Sequence, residues 1–196
     1  MKYNKFSLRI LFLSLVVTLG FAAITYAAFA DKGEVKGSSF NVGSADLKLY
    51  QNVSGTSDPT NLVDELSGPS FSNIGPNWSQ SYLIKLYNNS TSTIDLATYS
   101  NYLTANDPAE LRSVIYVEPQ EWNDLNGDGL VDTGETGTIY GQKTITKWKT
   151  EGYNIGQLQT GQTKGLILRF FTQTVSDTKQ GATGIFDFVF DSAQGQ

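Results

Sequence analysis

Gly184-Ile185-Phe186-Asp187-Phe188-Val189-Phe190-Asp191 is the stretch that decides the fold class. Phe186, Phe188 and Phe190 recur at period two, so in an extended chain they share one face. Asp187, Val189 and Asp191 share the other. Three large rings on one side and two carboxylates on the other describe a strand that faces a core. The spacing therefore predicts a strand over 184–191. Working outward, Lys164–Phe171 is a second strong strand, and Tyr82–Tyr87 is a strand with apolar side chains on both faces. Ala45, Leu47 and Leu49 alternate with Asp46, Lys48 and Tyr50, the pattern of a half-buried strand. Ile94–Tyr99 follows the turn Asn88-Asn89-Ser90, and the β-branched run Ser113–Val117 reads as buried. Thr138–Tyr140 and Thr144–Trp148 read as a hairpin turning at Gly141-Gln142. Residues 52–79 form a Ser/Gly/Asn/Pro-rich connection with a short strand near Leu62–Leu66. Asn106-Asp107-Pro108 is placed to cap a helical turn at Ala109–Arg112. No segment after residue 38 keeps a 3.6-residue apolar period long enough for a major helix. Many short strands in one domain predict an all-β, jelly-roll-like sandwich.

The composition narrows the chemistry. The 196 residues contain no cysteine and no histidine. Thiol catalysis, disulfides and cysteine-based zinc sites are excluded, and so are the usual general base and the usual zinc ligand. An enzyme would have to work with carboxylates, hydroxyls or lysine. The formal net charge is −5. An acidic balance opposes nucleic-acid binding, whose phosphates require a basic face.

The N-terminus reads as an export signal. Residues 2–9 carry Lys2, Lys5 and Arg9 and no acid, and Ile10 to Ala30 follows without a charge. This is the plan of a secretory leader. An uncleaved anchor is the competing reading, since about 20 apolar residues span a bilayer. Ser14, Thr18, Gly20 and Thr25 dilute the run, and it ends in small residues, which favours cleavage with no membrane attachment afterwards. Thr25-Tyr26-Ala27 and Ala28-Phe29-Ala30 both offer small residues at a cleavage site. Loss of the three leader cations moves the net charge from −5 to −8. The resulting organisation is a signal peptide over 1–27, an N-terminal segment over 28–37, and a sandwich domain over 38–196.

Thr25-Tyr26-Ala27-Ala28-Phe29-Ala30-Asp31, followed by Ser39-Phe40-Asn41-Val42-Gly43-Ser44-Ala45-Asp46-Leu47, resembles the opening of the TasA/camelysin family of biofilm-matrix proteins. Pro76-Asn77-Trp78-Ser79, leading into Leu83-Ile84-Lys85-Leu86-Tyr87-Asn88-Asn89-Ser90, resembles an internal strand of that family, with Asn77 where the family has glycine. Gln180-Gly181 with Phe186-Asp187-Phe188-Val189-Phe190-Asp191-Ser192-Ala193-Gln194 resembles its closing block. Residues from about 100 to 160 match nothing in the pattern. The resemblance implies a jelly roll, secretion to the matrix or cell surface, and assembly into fibres with itself and related subunits. It also implies cleavage between Ala27 and Ala28 by a dedicated signal peptidase. In that reading residues 28–37 act as a donor strand, with Phe29 and Val35 as its contact side chains. Some family members are classed as peptidases; this chain has no HExxH and no histidine, so no peptidase activity is expected.

One motif is specific without any family. Asp124-Leu125-Asn126-Gly127-Asp128-Gly129-Leu130-Val131-Asp132-Thr133-Gly134-Glu135 satisfies the twelve-residue calcium loop D-x-[DN]-x-[DN]-G-x5-E at every defined position. Calcium takes about seven hard oxygens at roughly 2.3–2.6 Å. Asp124, Asn126 and Asp128 supply side-chain oxygens, Leu130 its carbonyl, Asp132 a direct or water-mediated contact, and Glu135 a bidentate closure. Pro119 before the loop and Gly137-Thr138-Ile139-Tyr140 after it are not helical flanks, so the loop is expected between strands. There it would stabilise rather than signal, and without the ion its carboxylates would repel one another. Trp78, Trp122 and Trp148 offer a possible sugar platform for a carbohydrate- or cell-wall-binding module. Asp95, Glu118 and Glu121 are candidates for paired-carboxylate hydrolysis, and Asn52, Asn77, Asn88 and Asn89 each begin an N-x-[ST] sequon.

Overall fold

A computed structural model describes residues 38–42, 46–71, 74–180 and 182–194. The expected leader and the 28–37 segment lie outside the described residues. The described chain is built mainly of strands arranged in two sheets. Their elements are β1 (Ser39–Val42), β2 (Leu47–Tyr50), β3 (Leu62–Val63), β4 (Glu65–Ser67), β5 (Ser79–Asn88), β6 (Ile94–Asn101), β7 (Ile115–Trp122), β8 (Thr136–Ile139), β9 (Lys143–Thr144), α1 (Ile145–Glu151), β10 (Tyr153–Leu158), β11 (Thr163–Thr172) and β12 (Asp187–Gln194). One sheet has the order β10-β6-β12-β1-β4. The other runs β3-β2-β5-β11-β7-β8, with β9 also paired to β7. The chain passes repeatedly between the sheets, and β1 runs parallel to β12.

The phenylalanine face behaves as expected. Phe186, Phe188 and Phe190 are each 0% exposed. They meet Phe40 and Trp148 from neighbouring elements, and Leu166, Leu168 and Phe170 supply the opposing sheet. The strand itself begins at Asp187, three residues later than predicted. The Ile185 and Phe186 amides are spent on the Asn106 carbonyl and the Ser38 hydroxyl instead of a ladder. Leu47 and Leu49 are buried as the alternation requires. Tyr50 is buried too, with its hydroxyl 2.8 Å from that of Thr163.

Two sequence readings need correction. Thr144–Trp148 is not the second arm of a hairpin. Lys143–Thr144 makes a two-residue bridge and the chain then turns into α1. The Thr144 hydroxyl accepts from the Lys147 amide, which is an N-cap. Ile145 and Trp148, three apart, are both fully buried, and Gly152 ends the helix at φ 62°. A side chain at Gly152 would run into the Tyr99 ring. The second correction concerns residues 62–66. In place of one strand there are two, in different sheets, with the crossing at Asp64. A helical turn does follow Asp107, but as a 3-10 turn over Leu111–Ser113, starting two residues later than the expected Ala109–Arg112. Asp107 caps it by accepting from the Leu111 and Arg112 amides.

Candidate metal centre

The 124–135 loop leaves β7 at Trp122 and returns into β8 at Thr136, so it joins neighbouring strands of the seven-stranded sheet. The Asn123 amide donates to the Glu135 carbonyl at 2.7 Å and closes its base. Backbone amides orient the side chains of Asp124, Asn126, Asp128 and Glu135. Asp124 accepts from the Gly127 amide at 2.9 Å and the Gly129 amide at 3.0 Å. Asn126 Oδ1 accepts from the Asp128 amide, and Asp128 Oδ1 from the Leu130 amide. Glu135 Oε1 accepts from the Leu125 amide at 2.8 Å, and Oε2 from the Asp132 amide at 3.0 Å. Gly129 has φ 76°, and a Cβ there would lie 2.9 Å from the Ser54 backbone nitrogen. The sixth position therefore needs glycine twice over, for the left-handed turn and for close docking on Ser54.

Two strand side chains form the floor of the loop. Lys85 projects from β5, and its Nζ lies 2.7 Å from Asp124 Oδ2. The two side chains are 11% and 2% exposed. The ammonium also sits over the rings of Trp122 at 5.1 Å and Tyr50 at 5.9 Å. Trp122, itself buried, aims Nε1 at Glu135 Oε2 at 3.4 Å. The first and last positions of the twelve-residue pattern are thus each held from beneath. Burial opposes ionisation of Asp124, but the Lys85 ammonium with the Gly129 and Gly127 amides outweighs it and holds the carboxyl below its ordinary range. Glu135 is held low chiefly by the Asp132 amide, against the cost of burial, with the Leu125 amide and Trp122 assisting.

Among the described residues no three acidic side chains form a closed metal cage. The centre of the loop is held by an amide: Asn126 Nδ2 donates to Asp128 Oδ2 and Asp132 Oδ2, 3.0 Å each. A neutral amide donor thus stands between two carboxylates, at the place where a bound cation would bring positive charge. The set of three aspartates, one asparagine, one glutamate and the Leu130 carbonyl is all hard oxygen. It fits calcium in type and number and does not suit a soft transition metal.

The remaining candidates separate. Trp122 and Trp148 are core side chains, 1% and 0% exposed, so they cannot form a sugar platform with the half-buried Trp78. Trp148 Nε1 donates to the Thr98 carbonyl at 2.9 Å. Glu118 pairs with Arg169, Glu121 with Lys164, and Asp95 accepts from Gln157, so these acids stand in separate contacts. Asn88 is fully buried, and its amide bonds the Ser92 and Leu158 carbonyls as a turn residue. The cleavage pair Ala27 and Ala28 and the contact residues Phe29 and Val35 lie outside the described residues.

Lys85, which pairs with Asp124 at the floor of the loop, is the residue that sequence reasoning passed over. Its signal was present: a strand apolar on both faces has a covered outer face, and a lysine on a covered face needs a carboxylate. No helix among the described residues is long and apolar enough to cross a membrane. Neither a family model nor a curated protein matches the chain.

Proposed function

We propose that this chain is a secreted structural subunit of extracellular fibres or biofilm matrix. Residues 28–37 of one copy add as a strand to the next copy, and calcium stiffens the 124–135 loop. The observation that supports this most is the unfinished corner of the sandwich. Where the chain changes sheet at Asp64, β3 and β4 are only two and three residues long. Beside them opens a cleft of about 480 Å³ lined by Phe40, Val63, Leu66, Tyr82 and Ile84, with Glu65 and Ser67 among its polar lining. An edge strand beside a cleft with apolar patches among polar groups offers what β-strand addition requires. The ladder supplies the affinity, and alternate side chains fill the pockets. Phe29 and Val35 share one parity of the 28–37 segment and serve as anchors. Lys32, Glu34 and Lys36 fall on the other parity and face water.

A donor segment at one end and an acceptor corner elsewhere make a head-to-tail contact that does not close, and such contacts propagate as filaments. We read the sandwich as a jelly roll, a reading favoured by the alternation of consecutive strands between sheets. Export through a leader cut between Ala27 and Ala28 places the subunit in the matrix or at the cell surface, with itself and related subunits as partners. No observation favours the carbohydrate-binding or peptidase alternatives. The test is Leu66→Asp in the mature protein. Leu66 is half-buried against the core, so folding of the variant is checked first by circular dichroism; the folded variant is expected to remain monomeric under conditions where the wild type forms fibres. Fibres of unchanged yield from Leu66→Asp would remove the cleft from the account.

A further inference from the structure

We propose that Lys85 is the resident cation of the 124–135 loop, holding Asp124 in place when calcium is absent and making the ion a reinforcement instead of a requirement. This rests on the reading of the loop as a calcium site. The loop carries Asp124, Asp128, Asp132 and Glu135 within twelve residues. Their mutual repulsion opposes an ordered ion-free state unless positive charge is supplied. The protein supplies it at one ligand position. Lys85 Nζ lies 2.7 Å from Asp124 Oδ2, while among the described residues Asp128, Asp132 and Glu135 have no lysine or arginine within ion-pair distance.

The ammonium cannot drift into water. Its stem crosses the outer face of β5, the residue is 9% exposed, and the Trp122 and Tyr50 rings flank the head group. Asp124 also keeps the Gly127 and Gly129 amides, so the loop is tied simultaneously to its own backbone and to the sheet. Lys85 acts on the ion through Asp124 and is therefore a positioning residue. A buried ion pair of this kind is costly to break from one side, because the remaining charge is left without a partner. In the ion-free state the stranded charge is Asp124; with calcium bound, the ion compensates it. Loss of Lys85 must therefore damage the ion-free protein more than the loaded one.

The experiment compares mature wild type, Lys85→Met and Lys85→Arg, each in millimolar calcium chloride and in EDTA. Melting temperature is read by circular dichroism, loop protection by limited chymotrypsin digestion at Leu125 and Leu130, and calcium binding by titration calorimetry. The gap in Tm between calcium and EDTA is expected to widen in Lys85→Met by about 4 °C or more, the size of a one-to-two kcal/mol effect in a domain of this length. In EDTA, Lys85→Met is cut in the loop while wild type resists, and calcium restores protection. Lys85→Arg keeps the charge and behaves as wild type. A variant that folds only with calcium is the same result at its limit. Equal gaps in wild type and Lys85→Met, with calcium binding intact in both, overturn the role of Lys85 and leave the calcium site standing. Failure of Lys85→Met to fold under both conditions also overturns it, because the lysine would then be structural regardless of the ion. Absence of calorimetric binding in wild type overturns the calcium reading and this proposal with it.

Discussion

Replacing Phe188 with alanine removes the side chain on which the packing of the two sheets converges. Phe188 is 0% exposed. Its ring centroid lies 4.8 Å from Trp148, 5.1 Å from Phe170 and 5.6 Å from Phe40. A buried phenylalanine takes roughly 150–250 Å² out of water, which at about 25 cal/mol per Å² is an upper limit near 4–6 kcal/mol. Measured Phe→Ala losses in cores are about 3–5 kcal/mol. Three aromatic partners and a site pinned between two sheets place Phe188→Ala at the top of that range, about 5 kcal/mol. At about 2–4 °C per kcal/mol this lowers Tm by roughly 10–20 °C. The control is its neighbour. Val189 faces away from the core and is half-buried, so Val189→Ala costs under about 1 kcal/mol. Urea unfolding followed by circular dichroism gives both values, with unchanged m-values confirming that the unfolded states are comparable. A loss below about 2 kcal/mol for Phe188→Ala, or a larger loss for Val189→Ala, would mean that the strand presents its other face to the core.

Glu135→Gln removes the bidentate closure of the loop. Wild type should gain about 1.4 kcal/mol, or roughly 3–5 °C, at tenfold calcium saturation, and the variant should lose most of that gain in a melting titration. The Glu135 carboxyl is held below its ordinary value of 4.5. Its ionised form therefore contributes stability above that pH, and this is lost as pH falls through the lowered folded value. Acid melts in EDTA should show wild type losing more stability than Glu135→Gln below about pH 4.5. Asp187 has the opposite sign: burial raises its carboxyl above 3.8, the nearby Glu65 adds to the rise, and Ser39 opposes both. Its charge costs stability at neutral pH, so Asp187→Asn should melt higher than wild type at pH 7. That advantage should vanish below about pH 4, and a variant less stable at pH 7 would contradict the assignment.

The strands with strict period-two contrast were legible because one residue type per face leaves one solution. The Phe186, Phe188, Phe190 series and the Leu47, Leu49 pair are of this kind, and the 124–135 segment was legible as a loop between strands from its Asp/Asn/Gly pattern. Thr144–Trp148 misled because Thr144, Ile145, Thr146 and Trp148 suit a strand by propensity. The helix is decided by the Thr144 cap and by the burial of Ile145 and Trp148 three residues apart, which only the neighbouring sheets make favourable. The split of 62–66 was hidden for a similar reason. Asp64 is held by Lys48 at 2.7 Å and its carbonyl by the Val42 amide, contacts set by distant segments. Lys85 sits in a strand apolar on both faces, which marks it as covered, but its partner lies 39 residues away and the local sequence does not say which carboxylate it meets.

Assembly through the segment ahead of β1 is decided by electron microscopy of two purified forms. One begins at Ala28 and the other at Ser38, both in calcium-containing buffer at equal concentration. Filaments are expected from the longer form and folded monomers from the shorter, with a peptide of residues 28–37 binding the shorter form at the β4 corner. Filaments formed equally by both would contradict it.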